Sequence, residues 1–245
     1  MFSASFGPAD APVILLLHGG GVAGWMWDPV RDRLATEYRV VIVDLPGHGR
    51  SVDEPYASHA ETVGGLARVL AEESPVRPAV VVGFSLGAQL AVLLAAEHPN
   101  LVDRAVVVSA QTVPLPFTGT MLALASAAAP LARRPWFARL QARELFIPPT
   151  MMSNYLATSA GITRSTLVAS LGANLSFRIP EGWSRFPGAA MVMVGSEERR
   201  VMHDSADDLH EALPASITVV VDGCGHGIPL QRPEWFAETV AAFLA

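Results

Sequence analysis

Six short runs of mainly apolar, often β-branched residues recur along the chain, and they are continuous rather than alternating with polar residues. They cover residues 13–17, 40–43, 79–82, 105–108, 189–194 and 217–221. A strand with one face in water alternates apolar and polar side chains, whereas a strand covered on both faces does not. The runs therefore predict strands that are buried on both faces of a sheet.

Segments with helical character separate these runs. They lie at about residues 28–36, 59–73, 86–97, 203–213 and 233–244. Regular alternation of strands and helices is typical of parallel sheets, because each helix carries the chain back across the sheet to start the next strand. The pattern predicts an α/β fold with a mostly parallel central sheet flanked by helices.

The alternation stops between Gln111 and about Phe186, where Ala, Leu, Met and Pro dominate. Prolines divide this segment into short pieces, because proline interrupts helices. We therefore predict a helical cap over residues 112–186, inserted into a core that comprises residues 1–111 and 187–245; a helical subdomain without a functional role is the alternative. Its apolar side chains would either line an acyl or alcohol pocket or form the core of the cap. They are Phe117, Met121, Leu122, Leu124, Phe146, Ile147, Met151, Met152 and Leu156.

Composition and charge narrow the possible partners. The chain of 245 residues is 51% hydrophobic and 16% charged, with a net charge of -6, which fits one well-filled domain. The chain lacks the patch of Lys and Arg residues that nucleic-acid binding requires. No apolar run approaches the roughly 18 residues that a membrane-spanning helix needs, and residues 1–12 lack the pattern of a secretory signal. We expect a cytoplasmic protein that binds a small-molecule substrate, without nucleic-acid or membrane partners.

The single cysteine, Cys224, excludes an intrachain disulfide. It also argues against a structural zinc site, since such sites need several Cys or His ligands at close spacing. We expect neither a metal nor a cofactor.

Residues 79–90 carry the clearest chemical signal. The segment AVVVGFSLGAQL is a predicted buried strand, a Gly-x-Ser-x-Gly turn and an apolar helix, which is the arrangement of a nucleophile elbow. Gly83 and Gly87 would let neighbouring backbone pass without a Cβ clash. Ser85 would then be presented at the positive end of the following helix. We predict that Ser85 is a nucleophile.

A serine hydroxyl needs a base that accepts its proton, usually a histidine held by a carboxylate. His226 follows a predicted strand and lies in a Gly-rich loop before the last helix, which is where functional sites gather. Other histidines lie on or beside predicted helices, where solvated positions are expected: His59, His98, His203 and His210. His18 and His48 lie in glycine turns and are interpreted as architectural. We predict that His226 is the general base.

The carboxylate that orients the base should follow another strand. Residues 189–194 are followed by Gly195, Ser196, Glu197 and Glu198. Glu198 is our candidate, with Glu197 as its rival. Asp222 is a weaker alternative, because it shares a short loop with His226.

An acyl-transfer site also needs donors for the oxyanion of the tetrahedral intermediate. The segment LLLHGGG, residues 15–21, places a glycine-rich backbone just past a buried strand. We predict that the N–H groups of Gly20 and Leu86 form this oxyanion hole, with Gly21 as an alternative to Gly20.

Together these residues resemble the α/β-hydrolase superfamily, over nearly the whole chain apart from the predicted cap. The segment DLPGHGRS, residues 44–51, is similar to the loop after the second buried strand in that family. The order nucleophile, acid, histidine is the family's order, and Ser85, Glu198 and His226 follow it. The family's acid is usually aspartate, at a spacing from the strand-ending glycine that falls on Glu198 here.

The resemblance also has consequences for the beginning of the chain. The family usually has two strands before the one that ends at His18, but only about a dozen residues precede Val13. At least one edge strand is therefore expected to be absent or shortened.

The resemblance implies a serine hydrolase, since serine stands where haloalkane dehalogenases and epoxide hydrolases carry aspartate. Our leading prediction is a carboxylesterase that cleaves small or medium apolar esters through an acyl-enzyme intermediate. One alternative is a hydrolase of carbon-carbon bonds in a diketone-like metabolite. Another is a ligand receptor that keeps the scaffold but turns over slowly.

Overall fold

The computed structural model describes residues 1–245 except for the side chains of residues 132 and 133. In this described chain seven strands form one sheet, in the order β1-β3-β2-β4-β5-β6-β7. The strands are β1 (Phe2–Phe6), β2 (Val13–Leu17), β3 (Arg39–Asp44), β4 (Ala79–Phe84), β5 (Val102–Val108), β6 (Ala189–Gly195) and β7 (Ile217–Val221). The helices are α1 (Asp28–Leu34), α2 (His59–Glu73), α3 (Leu86–Glu97), α4 (Thr118–Ala128), α5 (Pro135–Glu144), α6 (Met152–Gly161), α7 (Arg164–Leu175), α8 (Arg200–Ala212), α9 (Ile228–Gln231) and α10 (Pro233–Leu244).

Strands β2 to β7 are parallel, and they correspond to the six strands that the apolar runs predict. The fold class is therefore confirmed. The predicted burial on both faces is wrong for β7, because β7 is the last strand of the sheet: only Val221 is buried there, and Ile217 and Val220 are exposed. Strand β1 was not predicted; it pairs antiparallel with β3 at the edge of the sheet. Its sequence, FSASF, alternates polar and apolar residues that are mostly half-buried, so it gives no continuous apolar run.

Strand β2 shows how the sheet is buried on both faces. Leu15 and Leu17 face a core that contains residues of α2, α3 and α8. Ile14 and Leu16 point to the opposite face, where α1 and α10 provide Val30 and Val240 among others. All five residues of β2 are buried, which explains why the strand carries no polar position.

Helices α4 to α7 lie between β5 and β6, in the segment for which no strand was predicted. Proline marks several of the boundaries: α5 begins at Pro135, and Pro148 precedes the 3-10 turn that leads into α6. Proline suits the first turn of a helix because its missing N–H has no partner to lose there. The division into a core and a cap stays a prediction.

A search of the described residues for a helix both long and apolar enough to cross a bilayer finds none.

Candidate active site

Ser85 lies in a sharp turn between the end of β4 and the start of α3. Its φ of 53° and ψ of -112° belong to a conformation that non-glycine residues rarely adopt. Such strain persists only where the surrounding structure enforces it, and it clusters at functional sites. The Ser85 N–H is held by the carbonyl of Val108 at 2.8 Å.

The glycines on either side of Ser85 allow this turn. A Cβ on Gly83 would lie 2.2 Å from the carbonyl oxygen of Gly87, and a Cβ on Gly87 would lie 2.3 Å from the carbonyl oxygen of Leu17. Both contacts are with backbone atoms, which cannot swing aside as a flexible side chain can. The turn therefore requires glycine at both positions, as the sequence motif suggests.

We expect Gly87→Ala to destabilise the protein by about 2 kcal/mol or more, because the new methyl group must displace β2 or the glycine-rich loop after it. The measurement is urea unfolding of both proteins. Gly64→Ala is the matched control: Gly64 lies inside α2 with nothing within 4 Å of an added Cβ. There the higher helix propensity of alanine should stabilise by about 0.5–1 kcal/mol. Equal effects of the two changes would contradict the steric explanation.

A chain of hydrogen bonds joins Ser85 to two residues far from it in sequence. His226 Nε2 lies 3.0 Å from Ser85 Oγ. His226 Nδ1 lies 2.8 Å from Glu198 Oε2. The structure thus brings together the three residues that the sequence indicates as nucleophile, base and orienting acid.

The carboxylate of Glu198 is almost completely buried, and both of its oxygens accept hydrogen bonds. Its side chain is 1% exposed. Its Oε1 accepts hydrogen bonds from Ser109 Oγ at 2.6 Å and from the Gly195 N–H at 2.9 Å. Burial alone would raise the pKa of Glu198, but the hydrogen bonds from His226, Gly195 and Ser109 outweigh it and hold the pKa below its ordinary value. The carboxylate therefore stays ionised.

The other acid candidates lie elsewhere. Glu197 is exposed, and its N–H is bonded to the carbonyl of Cys224. Asp222 is exposed as well. Among the described residues, neither of these carboxylates bonds to His226. Sequence reasoning missed Ser109, a buried residue with a φ of 53° directly after β5; its place at the carboxyl end of a strand was the available signal.

The loop that carries His226 packs against an aromatic ring from the predicted cap. A Cβ on Gly225 would lie 2.4 Å from Phe146 Cζ, and one on Gly227 would lie 2.7 Å from Phe146 Cβ. The glycines around His226 therefore let Phe146 approach the backbone. The His226 ring itself lies 5.2 Å from the ring of Phe84, between centroids. This contact and the hydrogen bonds to Glu198 and Ser85 hold the direction of the imidazole.

The backbone donors predicted for an oxyanion hole lie beside Ser85. Gly20, Gly21 and Leu86 all line the same cavity as Ser85. In the described part of the chain, the N–H groups of these three residues donate to no protein acceptor. Gly21 has a φ of 80°, which favours glycine. Both alternatives, Gly20 and Gly21, thus remain available as the second donor.

His18 holds the glycine-rich loop in place. Its ring is fully buried; Nδ1 lies 2.8 Å from the Gly19 carbonyl, and Nε2 accepts from the Leu45 N–H at 2.9 Å. Burial, reinforced by the nearby His48, lowers the pKa of His18 to about 3. The ring is therefore neutral at ordinary pH, with one donor and one acceptor, and its role is architectural as predicted.

The burial of these histidines should make the free energy of unfolding depend on pH. Burial lowers the pKa of His18, His48 and His59 in the folded protein below the value of 6.5 expected for the unfolded chain. As the pH falls below 6.5 the unfolded chain binds protons that the folded protein refuses, so stability declines. A histidine that stays neutral in the folded protein contributes a slope of at most about 1.4 kcal/mol per pH unit, which is approached well below pH 6.5; His18, with its pKa of about 3, meets this condition. We expect urea midpoints to fall between pH 7.5 and 5.5, and His18→Gln to flatten this slope; an unchanged slope in the variant would contradict the assignment.

His59 corrects one expectation. It was predicted to be a solvated surface residue, but it is half-buried in a network centred on Gln89, one turn after Ser85 in α3. The carboxamide oxygen of Gln89 accepts from His59 Nε2 at 2.9 Å and from Asn174 Nδ2 at 3.3 Å. Its amide nitrogen donates to the backbone carbonyls of Gln111 and Asn174. Tyr56 supplies the remaining bond to His59 Nδ1. The network ties α7 to the helix that begins after Ser85.

A cavity of about 500 Å³ opens beside Ser85. Its walls are mostly apolar, which is typical of a small-molecule site. Gly20, Gly21, Ser85 and Leu86 line one part of the cavity. The other lining residues come from the predicted cap: Ala125, Ala128, Ala129, Phe137, Gln141, Glu144, Leu145, Tyr155, Ser159, Ile162, Leu167, Ser170, Leu171 and Asn174.

None of the nine apolar residues proposed from the sequence as pocket-lining is among these. Phe117, Met121 and Leu124 are exposed instead, and Phe146 packs against the His226 loop. The lining comes from their neighbours in the same segment, because the direction of each side chain depends on how the four helices cross. Within the described residues, no cluster of His, Cys, Asp and Glu has the arrangement of a metal site.

Sequence comparisons find a protein family and several relatives. The model of the Alpha/beta hydrolase family matches residues 14–239. A pimeloyl-[acyl-carrier protein] methyl ester esterase of Vibrio vulnificus is 37% identical over 100 residues, which cover 41% of this chain and 37% of that relative, so less than half of the relative's length is matched. The sn-1-specific diacylglycerol lipase ABHD11 of Mus musculus is 26% identical over 98% of this chain and 83% of its own.

Solved structures agree on the fold. An esterase from Exiguobacterium antarcticum superposes with a TM-score of 0.84 at 20% identity, covering 99% of this chain and 94% of that one. The enol-lactonase from Burkholderia xenovorans superposes with a TM-score of 0.81, also at 20% identity, covering 99% and 95%. At this level of identity the likeness shows a common architecture.

Proposed function

Because the chain belongs to the alpha/beta hydrolase family, with esterases among its relatives, we propose that it is a serine hydrolase that cleaves a small or medium apolar ester through an acyl-enzyme intermediate. One observation carries the proposal. The hydrogen-bonded series of Glu198, His226 and Ser85 ends at a largely apolar cavity of about 500 Å³. A nucleophile, a base and an apolar binding site are the parts that ester hydrolysis requires.

In the first half of the reaction Ser85 Oγ attacks the ester carbonyl, and His226 Nε2 takes the hydroxyl proton. The carbonyl oxygen becomes an oxyanion, and the N–H groups of Leu86 and Gly20 or Gly21 donate hydrogen bonds to it. The tetrahedral intermediate then expels the alcohol, to which His226 returns the proton. The product is an ester between the acyl group and Ser85.

In the second half water replaces the alcohol. His226 removes a proton from the water, which attacks the acyl carbonyl, and the same backbone donors stabilise the second oxyanion. Collapse releases the carboxylic acid and restores the Ser85 hydroxyl with the proton from His226. Throughout, the ionised Glu198 accepts from His226 Nδ1 and stabilises the imidazolium form of the ring.

The binding side of the proposal rests on helices α4 to α7, which we propose form a cap over Ser85. The small side chains of Ala125, Ala128 and Ala129 leave room in the cavity, and Phe137 and Leu167 add apolar walls. Glu144 is the charged side chain among the lining residues, and no cationic side chain is among them, so a substrate carboxylate would find no ionic partner there. Apolar acyl or alcohol groups should therefore be preferred, since their burial is favourable by about 0.8 kcal/mol per methylene.

The experiment is hydrolysis of p-nitrophenyl esters of increasing acyl length, with Ala128→Phe beside the wild type. We expect turnover of short and medium esters. In the variant kcat/KM should fall about tenfold or more for the longest accepted acyl chains, yet stay within about twofold for the acetyl ester, because the ring fills cavity space that only longer acyl chains need.

Ala127→Phe is the matched control, since Ala127 is the exposed neighbour of Ala128 on α4. It should reproduce the wild-type length profile. Equal changes in both variants would contradict the assignment of the cavity. Absence of turnover on every ester would contradict the esterase proposal, and cleavage of a diketone by the same protein would then identify carbon-carbon hydrolysis.

A further inference from the structure

Helix α4 is unusual because it is almost entirely apolar and yet buries none of its residues. Its sequence, TGTMLALASAA, contains no charged side chain. Phe117, which precedes it, is 81% exposed, Leu124 is 67% exposed, and Met121 between them is exposed as well. These three residues recur at i, i+4 and i+7 and so share one face. A helix that is apolar on all sides is normally covered by something.

Further exposed apolar residues follow α4 along the chain. Leu131, Trp136 and Leu140 are exposed, so that six large apolar side chains between residues 117 and 140 face outward. In the rest of the described chain the large exposed hydrophobic residues are Val76, Ile217 and Val220, which are scattered. We call Phe117, Met121, Leu124, Leu131, Trp136 and Leu140 the apolar patch. Concentrations of this kind mark interaction surfaces.

Arginines accompany the apolar patch. Arg134, Arg139, Arg143 and Arg164 are exposed, and among the described residues no carboxylate lies within ion-pair distance of them. Residues 112–186 contain seven arginines and two glutamates, although the whole chain has a net charge of -6. The whole-chain charge therefore conceals a strongly cationic segment on an otherwise acidic protein.

Helix α5 shows how the two properties are combined. Trp136, Leu140 and Arg143 recur at i, i+4 and i+7 and are all exposed. One position further along, Phe137 and Gln141 line the cavity beside Ser85. One side of this helix thus faces the cavity while the adjacent side presents aromatic, aliphatic and cationic groups to the outside. This combination is typical of helices that lie at a lipid interface.

We propose that the apolar patch and its arginines form a docking surface for an anionic lipid bilayer. Apolar side chains enter the boundary between head groups and acyl chains, and the guanidinium groups pair with lipid phosphates. A symmetric contact with a second copy would place arginine against arginine, which is electrostatically unfavourable. An anionic lipid surface satisfies both the apolar and the cationic side chains.

The proposal goes beyond the esterase function and does not depend on it. It also differs from the expectation of no membrane partner, which rested on the lack of a spanning helix; peripheral docking needs none. Since α4 and α5 line the cavity, docking would place the cavity beside the lipid surface.

The test is flotation of the full-length protein with vesicles. One set is phosphatidylcholine alone, and the other contains about one third phosphatidylglycerol. We expect binding to the anionic vesicles, weakened by salt, and little to the neutral ones. Arg139→Gln with Arg143→Gln should weaken binding about 25-fold, at about 1 kcal/mol for each arginine. Trp136→Ser with Leu140→Ser should weaken it at least about tenfold.

Val76→Ser and Arg68→Gln are the controls, because they remove an exposed apolar and an exposed cationic side chain outside residues 112–186; both should bind as the wild type does. Equal binding to the two vesicle types, or binding to neither, overturns the proposal. A dimer in solution that Trp136→Ser dissociates also overturns it, and assigns the patch to a second copy. None of these readouts depends on ester turnover, so failure here leaves the proposed function untouched.

Discussion

Ser85→Ala should reduce kcat/KM for a p-nitrophenyl ester by on the order of 10³ or more. The hydroxyl is the group that His226 Nε2 faces at 3.0 Å, and alanine offers no atom that can form an acyl-enzyme. The backbone should be unaffected, since alanine keeps the Cβ and therefore the same strain at a φ of 53°. The measurement is steady-state hydrolysis of the butyrate ester, with circular dichroism and urea unfolding to show that the variant is folded.

One further variant and one covalent inhibitor make this result specific. Ser85→Gly also lacks the hydroxyl but removes the Cβ that makes a positive φ costly, so it should be inactive and slightly more stable than Ser85→Ala. A p-nitrophenyl phosphonate should add one phosphonyl group to the wild-type protein by mass spectrometry and none to either variant. Activity within about tenfold of the wild type in Ser85→Ala would mean that another nucleophile carries the reaction.

The strands and the turn at Ser85 could be predicted because their signals are local. A continuous apolar run indicates a strand of the sheet, although the run of β7 did not reveal that this strand lies at the exposed edge. Gly83 and Gly87 are required by contacts with nearby backbone. Strand β1 gave no such signal, because an edge strand needs only half of its residues to be apolar. The choice of Glu198 over Glu197 was less certain from sequence, since it depends on the turn in which the Glu198 N–H bonds to the carbonyl of Gly195.

The helical structure of residues 112–186 could be predicted, but the direction in which each side of a helix faces could not. Which side of α4 or α5 meets the cavity depends on how the helices cross, and periodicity within an almost entirely apolar helix does not reveal it. The same limit explains the error at His59, whose partner Gln89 is 30 residues away. The cationic character of the segment was hidden for a different reason: a net charge of the whole chain averages over regions of opposite sign.

Glu198→Gln should lower kcat by about 10² to 10⁴, although it changes only one oxygen to an amide nitrogen. The surroundings dictate how the new amide sits. The Gly195 N–H and Ser109 Oγ both bond to Oε1, and of the two terminal atoms of the new amide only the oxygen can accept from a backbone N–H. The amide NH₂ must then face His226 Nδ1, where the carboxylate accepted a hydrogen bond.

A donor at that position forces His226 into the tautomer that carries its proton on Nε2. The ring then points an N–H at Ser85 Oγ and cannot accept the hydroxyl proton, so the variant should bind substrate with nearly unchanged KM but turn it over slowly. Glu197→Gln is the matched control, because Glu197 is exposed and, among the described residues, the carboxylate bonded to the ring is that of Glu198; its kcat should stay within about twofold of the wild type. If Glu197→Gln alone abolished turnover, Glu197 would be the orienting acid. If both variants kept full activity, His226 would not require a carboxylate partner, and the hydrogen bond at 2.8 Å would have a structural role only.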